Sequence, residues 1–423
     1  MLWGLGVGYV ISGNYFGWNL GLIEGGTLGL AVAIGFIIIL AITFTFSYTE
    51  LACAIPRAGG VFDYATRAFG KDLGFIGGMA QNVEFIFAPP AIAFAIGAYL
   101  NLFFPTLPVL TIAIGAYLVF TALNINGIKI AAMFELFVTV VAVGGLLLFA
   151  GVALPHFQAE KLAIDALPNG WKGIFAAIPF AFWFFLAIEG VANVAEETIN
   201  PQRTILLGFG SAIITLVILC LLTFTSAVGI AGWASVVYTI DGSVSDSPLP
   251  LAMAIVMGYD HWLYHLFIAI GLFGLVASFH GIILAAGRAT FEFGRMRYAP
   301  EVLGRIHSKF RTPSNALLLN MMIGIIALLT GKTAEIITLS VFGALTLYIV
   351  AMLTVLKLRK TEPDMPRPFR VPMYPHFPII ALLIAGVAFV ALTVYNLQLA
   401  GVYFLIMGVS YLMFKLRNRW SGA

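Results

Sequence analysis

The stretch Val10-Ile11-Ser12-Gly13-Asn14 decides the fold. It lies partway along an apolar run, residues 2–23, that reads as a membrane-spanning helix. Ser12 and Asn14 bring polar side chains into that run, and Gly13 removes the steric bar to leaving helical geometry. A helix interrupted inside a bilayer exposes backbone N–H and C=O groups. Those groups are tolerated only where protein or a polar cavity satisfies them. The stretch Ile11, Ser12, Gly13, Asn14 is therefore expected to form half of a substrate site. Ala187-Ile188-Glu189-Gly190 occupies the matching place in the sixth apolar run and is expected to form the other half.

Composition supports a polytopic α-helical membrane protein. The 423 residues are 61% hydrophobic and 10% charged, with mean hydropathy +1.01. Soluble domains are about 45–50% apolar and about 25% charged. The short alternating strands of a β-barrel are not in the pattern. Cys53 and Cys220 both sit in apolar runs and imply no disulfide framework. No basic region precedes the first run and no small-residue cleavage site follows it, so it reads as a true helix and not a signal peptide. Its abrupt start leaves room for a cytoplasmic tail ahead of it.

Twelve spans are expected, near 2–23, 28–51, 73–103, 109–123, 128–154, 173–194, 205–231, 262–291, 316–330, 334–356, 379–396 and 399–414. Charge placement tests this map. With the N-terminus inside, 19 of the 22 Lys and Arg residues fall on the inner side, and only Lys161, Lys172 and Lys332 fall outside. That bias satisfies the positive-inside rule, with both termini cytoplasmic in the cell (plasma) membrane. The net charge of +3 is then topological and implies no nucleic-acid partner. The lipid bilayer is the implied surrounding; the pattern does not reveal an oligomeric state. The expected organisation is a core over 1–357, with halves at about 1–154 and 173–357, followed by an inner loop and two trailing helices over 358–423. Residues 56–70 read as an amphipathic inner loop lying along the membrane surface. Residues 233–260 read as a solvated outer loop.

Three acids fall inside spans: Glu84, Glu135 and Glu189. An ionised side chain at the bilayer centre costs at least about 2.5–3.5 kcal/mol on insertion scales. Each glutamate therefore needs a partner, a proton, a water-filled cavity or a cationic ligand. Glu84 lies near the midplane beside Gln81 and Asn82 and reads as a counter-ion for a cationic substrate or as a proton carrier. Glu135, in the inner third, reads as a partner for an inner-end Arg or Lys, or as a coupling group. Glu189 sits within the second break and reads as its brace or as a proton carrier. His280 is the one His well inside a span; a titrating role competes with that of a satisfied buried hydrogen bonder. Trp183, Phe184 and Phe185 precede the second break, where they either pack or stack on a cation and gate the cavity.

No catalytic or metal-ligating constellation is present in the sequence, which argues against an enzyme. The paired breaks fit inverted-repeat transporters, whose site forms where two discontinuous helices meet. Further along, the sequence reads Glu189-Gly190-Val191-Ala192-Asn193-Val194-Ala195-Glu196-Glu197, then Asn200-Pro201-Gln202-Arg203. Thr312-Pro313-Ser314-Asn315-Ala316 and Pro366-Arg367-Pro368-Phe369-Arg370-Val371-Pro372 follow. On these motifs the chain resembles the amino acid–polyamine–organocation superfamily over essentially its whole length. Trp3 to Asn19, Phe134-Glu135-Leu136 and Phe279 to Arg288 are most similar to ethanolamine permeases. The resemblance implies an all-α fold of five plus five inverted-repeat (LeuT-like) helices and two trailing ones, with the first and sixth helices broken. It also implies that Trp183 matches an aromatic gate. The sequence departs from the pattern at Ile11, where amino acid members usually carry Gly, and at Ala187, where many carry Gly. Val141-Ala142-Val143 stands where some proton-coupled members carry Lys.

An amine such as ethanolamine brings a cation and a hydroxyl, whereas an amino acid also brings a carboxylate. A midplane Glu84 suits the amine: Glu84 balances the ammonium and Ser12 or Asn14 binds the hydroxyl. The alternative is an amino acid permease, proton-coupled or exchanging, that holds the substrate carboxylate on the backbone at Ser12-Gly13-Asn14. A channel or nutrient receptor is a third reading. No cofactor is expected. The coupling ion is H+ or Na+, and Ser278 is a sodium-ligand candidate.

Overall fold

A computed structural model of the chain describes residues 2–57, 59–127, 132–190 and 201–421. The side chains of residues 132–135, 201, 202, 205 and 418–421 lie outside the description. So do the whole residues 191–200, and with them most of the Glu189–Arg203 motif. Nine helices among the described residues are long and apolar enough to cross a membrane. The helices Val109–Ile125 and Ser314–Leu328 are shorter apolar spans.

The first expected span is broken. Helix α1 (Leu2–Val10) gives way at Ile11 to a single turn, α2 (Ser12–Tyr15), then a 3-10 turn over Trp18–Leu20. Helix α3 (Gly21–Ala54) follows, interrupted at Gly26 by φ 59° and ψ −168°. That left-handed backbone suits glycine, and a Cβ there would lie 2.7 Å from the Ala166 carbonyl. Gly26 thus marks the boundary between the first and second spans, in the gap between 23 and 28 where the apolar runs part.

Next come α4 (Val61–Phe69), α5 (Lys71–Asn101), α6 (Val109–Ile125) and α7 (Ala132–Ala153). The amphipathic stretch at 56–70, expected as an inner loop, contains a helix whose apolar face is seated on the protein. Val61, Phe62, Tyr64 and Ala65 of α4 are buried, and α4 packs on α5 and on the later helix α15 (Thr333–Thr361). Helix α5 continues through Pro89-Pro90, where two helical N–H donors are missing. It runs through the middle of the bundle, against α4, α6, α13 (Trp262–Arg295), α14 (Ser314–Leu328) and α15 (Thr333–Thr361).

The sixth expected span is also broken, into α8 (Gly170–Ala176) and α9 (Ile178–Trp183), and it leaves α-helical form after Trp183, with turns over 184–187 and a 3-10 turn over 188–190. Helix α10 (Pro201–Ala231) follows, and α16 (His376–Tyr395) and α17 (Leu397–Ser421) close the chain.

Residues 233–260 are not a solvated loop. They form two helices, α11 (Ala234–Val237) and α12 (Pro248–Met257), with Val236, Val237, Leu249, Ala252 and Met253 buried. The buried Asn19 side chain donates to the Ser245 carbonyl at 2.9 Å and to the Val236 carbonyl at 3.4 Å. This segment therefore plugs the far end of the bundle, opposite the Arg- and Lys-rich end.

At the basic end, Glu50 of α3 receives both Nε and Nη2 of Arg359, at 2.7 and 2.8 Å. It also faces Arg367 Nε at 3.2 Å and accepts the Val371 N–H at 2.7 Å. Arg367 in turn donates to the carbonyls of Leu358, Glu362, Pro363 and Met365, closing the C-terminal end of α15.

Candidate functional site: two broken helices and a carboxyl pair

The two breaks touch. A Cβ on Gly13 would come within 2.3 Å of the Trp183 carbonyl oxygen, and one on Gly17 within 2.6 Å of Trp183 Nε1. Gly17 itself has φ 87°. Only glycine admits this approach of backbone to backbone. Phe16 meets the Trp183 ring edge-on at 5.5 Å, and Trp18 stacks on Phe184 at 5.7 Å. Trp183 and Phe184 are thus packed between the breaks.

The first break is held open by a side chain from α13. Ser278 Oγ donates to the Gly8 carbonyl at 2.5 Å and accepts the Ser12 N–H at 3.0 Å. The hydroxyl stands in the helical ladder where the Ser12 N–H would otherwise meet Gly8. Its proton is engaged at Gly8, so Ser278 acts as a helix spacer in this structure. Tyr15 leaves the broken segment to donate to the Ala142 carbonyl at 2.6 Å, in the region where no lysine stands.

The second break turns at Ala187, whose φ is 72°. Its N–H donates to Glu84 Oε1 at 3.1 Å. Ser340 of α15 donates to the Glu84 backbone carbonyl at 2.8 Å, and Tyr348 of α15 donates to Glu189 Oε2 at 3.2 Å. The Glu84 and Glu189 carboxyls are near enough to each other for their charges to interact. Two negative charges side by side and out of water repel strongly, and a single proton held between the two carboxyls would relieve that repulsion. Both residues are fully buried. The midplane Glu84 is therefore not solitary: Glu189 lies near it, and the Ala187 N–H satisfies one of its oxygens.

Several polar atoms around the breaks nonetheless have no partner among the described residues. They are both amide atoms of Asn14, Trp183 Nε1, Glu84 Oε2 and Glu189 Oε1. Buried polar atoms without partners are costly, typically about 1–3 kcal/mol each. Their concentration at these breaks is what a polar ligand would relieve.

The remaining sequence candidates lie elsewhere. His280 Nδ1 is 3.1 Å from Asn124 Nδ2 of α6, with Phe120 beside its ring. The structure thus gives His280 a partner on α6 and none of the break residues. The Glu135 side chain lies outside the described residues. Ser340 and Tyr348 were not singled out in the sequence. A lone hydroxyl in an apolar span carries no signal until its helix is placed.

A family model described as amino acid permease matches residues 3–413. An uncharacterized transporter of Rhizobium meliloti (strain 1021) is 27% identical over 413 residues, covering 94% of this chain and 87% of its own. The methylthioribose transporter of Bacillus subtilis (strain 168) is 26% identical, covering 89% of this chain and 84% of its own. The branched-chain amino acid permease BcaP of the same organism is 23% identical, covering 90% and 84%. A mutant manganese transporter from Eremococcus coleocola superposes with TM-score 0.60 at 14% identity, covering 99% of this chain and 92% of that one. That likeness establishes the LeuT-like fold alone. The matching family model extends across the broken helices, the carboxyl pair and both trailing spans, and the chain belongs to the amino acid permease family of multi-pass membrane transporters.

Proposed function

We propose that this transporter imports a small organic amine, with ethanolamine as the leading substrate, across the plasma membrane by alternating access. The carrying observation is the Glu84–Glu189 pair with the partnerless polar atoms beside it. A carboxyl pair that shares one proton carries a single negative charge, and one ammonium balances it. The Asn14 amide, with no partner on either atom, suits a hydroxyl that both donates and accepts. Trp183 offers an N–H and an aromatic face next to the same break. Coupling follows from the same pair: the shared proton makes H+ the ion that this reading favours over Na+.

The second reading is an amino acid permease. The family description and the branched-chain substrate in BcaP's name support it. An amino acid's carboxylate would have to sit away from the acid pair, on the backbone at Ser12-Gly13-Asn14.

Uptake of labelled ethanolamine into proteoliposomes tests both, with alanine as competitor and the pH and sodium gradients varied separately. Excess alanine is expected to leave uptake unchanged, and a pH gradient to drive it. Glu84→Gln is expected to raise the KM for ethanolamine about 30-fold, from the ~2 kcal/mol lower bound for breaking a buried charge pair. Wild-type uptake by Glu84→Gln, or full competition by alanine, would sink the amine reading.

A further inference from the structure

Two neighbouring spans fall short of the bilayer. Helix α14 has 15 residues and α6 has 17. At about 1.5 Å per residue they reach about 22 and about 26 Å, against a hydrocarbon core of about 30 Å. The two helices pack on each other, and the Thr312 hydroxyl just ahead of α14 donates to the Ile125 carbonyl at the end of α6, at 2.6 Å. Their basic ends are therefore level. A short span is met by a thinned bilayer and by flanking groups that reach for the interface. The segment that leads into α14, residues 296–313, is thus held at the membrane surface.

That segment is a fixed loop. His307 Nδ1 accepts the N–H groups of Lys309 and Phe310 at 3.2 and 3.3 Å. The His307 N–H donates to the Thr312 carbonyl at 2.9 Å, and Asn315 Nδ2 donates to the Val302 carbonyl at 2.9 Å. Its surface mixes two kinds of side chain. Met296, Val302 and Ile306 are exposed apolar groups. Arg305, Lys309 and Arg311 are exposed cations. The acids nearby in the chain are engaged elsewhere: Glu292 pairs with Arg295 at 2.8 Å, and Glu301 lies 3.5 Å from both Arg297 and Arg417. No carboxylate among the described residues forms an ion pair with Arg305, Lys309 or Arg311.

Water rewards these cations but not Ile306. A soluble acidic partner rewards the cations but not the depth that the short spans impose. A phospholipid surface meets both. Apolar side chains enter the acyl boundary, while Arg and Lys, which only donate, meet phosphate oxygens, which only accept. A zwitterionic lipid brings its own cation, so unpaired Arg and Lys favour a headgroup with net negative charge. We propose that residues 296–311 are a membrane-surface anchor that gathers anionic phospholipid around Arg305, Lys309 and Arg311. The anchor fixes the basic ends of α13 and α14 and, through Thr312, that of α6. Helix α13 carries Ser278, so the lipid around this loop bears on the helix that spaces the first break.

The test places a nitrobenzoxadiazole dye on Ser308→Cys, an exposed position of the loop; Cys53 and Cys220 are buried. The full chain is reconstituted in phosphatidylcholine vesicles. Quenching is titrated with phosphatidylglycerol or phosphatidylcholine carrying a nitroxide high on one acyl chain. Phosphatidylglycerol is expected to associate about fivefold more strongly than phosphatidylcholine, the weight of one interfacial cation. In Arg305→Gln/Lys309→Gln/Arg311→Gln the two lipids are expected to quench alike. They are also expected to quench alike with all three cations present at ~1 M NaCl, where the screening length falls to about 3 Å. The salt arm reads the charge without any substitution. No quenching by either lipid would put the loop in water and overturn the proposal. Equal quenching at low salt with all three cations present would overturn it too, because that marks an ordinary annulus. So would a preference that survives the salt or the triple substitution. No substrate enters the assay, so failure of the amine reading does not affect it.

Discussion

Ala187 is the residue at which the chain departs from its family's pattern and also from ordinary backbone geometry. A left-handed φ of 72° crowds an alanine Cβ against the backbone and costs roughly 1–2 kcal/mol. The conformation persists because the turn aims the Ala187 N–H at Glu84. Ala187→Gly is expected to remove that strain and raise unfolding stability by about 1 kcal/mol, read as a higher midpoint in thermal melts of the purified protein. An unchanged or lower midpoint would mean the turn is not strained. Residue-scale features divided sharply in how legible they were. Ser12, Gly13 and Asn14 announced a break because polar and glycine residues stand out against an apolar run. The pairing of Glu84 with Glu189 was hidden, because two acids in separate spans show no sign in sequence that they lie side by side. Tyr348 and Ser340 were hidden for the same reason.

At the scale of single elements, the breaks rest on inserted hydroxyls and on a seated outer segment. Ser278 fills the ladder between Gly8 and Ser12, so Ser278→Ala leaves a buried N–H and a buried C=O facing each other across the gap. The expected cost is about 1–3 kcal/mol, measured as a loss of unfolding free energy in mixed micelles. A neutral result would show that α1 simply recloses. The far-end segment carries a second prediction. Burial pushes the Asp246 carboxyl up to about 6, against the lowering effect of the Thr333 hydroxyl that donates to it at 3.0 Å. The seated segment therefore holds this proton more tightly than a solvated chain does. Its stability is full in acid and declines as pH climbs from the ordinary carboxylate range through about 6. Hydrogen exchange over 238–257, corrected for intrinsic rates, should show protection falling between about pH 4 and pH 7. Flat protection across that window would refute the assignment. The helices themselves were legible, since lipid imposes long apolar runs. This segment was not, because its burial comes from packing on α10 and α7 and leaves no period to read.

The whole molecule is tied together at its basic end. Glu50, Arg359 and Arg367 join α3, α15 and the stretch that leads to α16. The side chains of Glu50 and Arg367 are each 2% exposed. Removing one partner of such a group leaves an uncompensated buried charge, at about 3–5 kcal/mol. Glu50→Ala is expected to lose that much unfolding stability, or to fail to accumulate in the membrane. A loss under about 1 kcal/mol would reduce the cluster to a surface ion pair. The Pro366–Pro372 motif was visible in the sequence as a family signature, but its task was not. Arg367 serves carbonyls that only the folded end of α15 presents.

Asn19 lies five residues beyond Asn14 in the sequence and holds the far-end segment by two carbonyls. The far-end segment and the first break are therefore joined through Asn19. Ile240, 93% exposed on that segment, gives a place for a reporter dye in the aqueous phase. Its signal would follow each turnover in real time, and would time the gate without any label inside the bilayer.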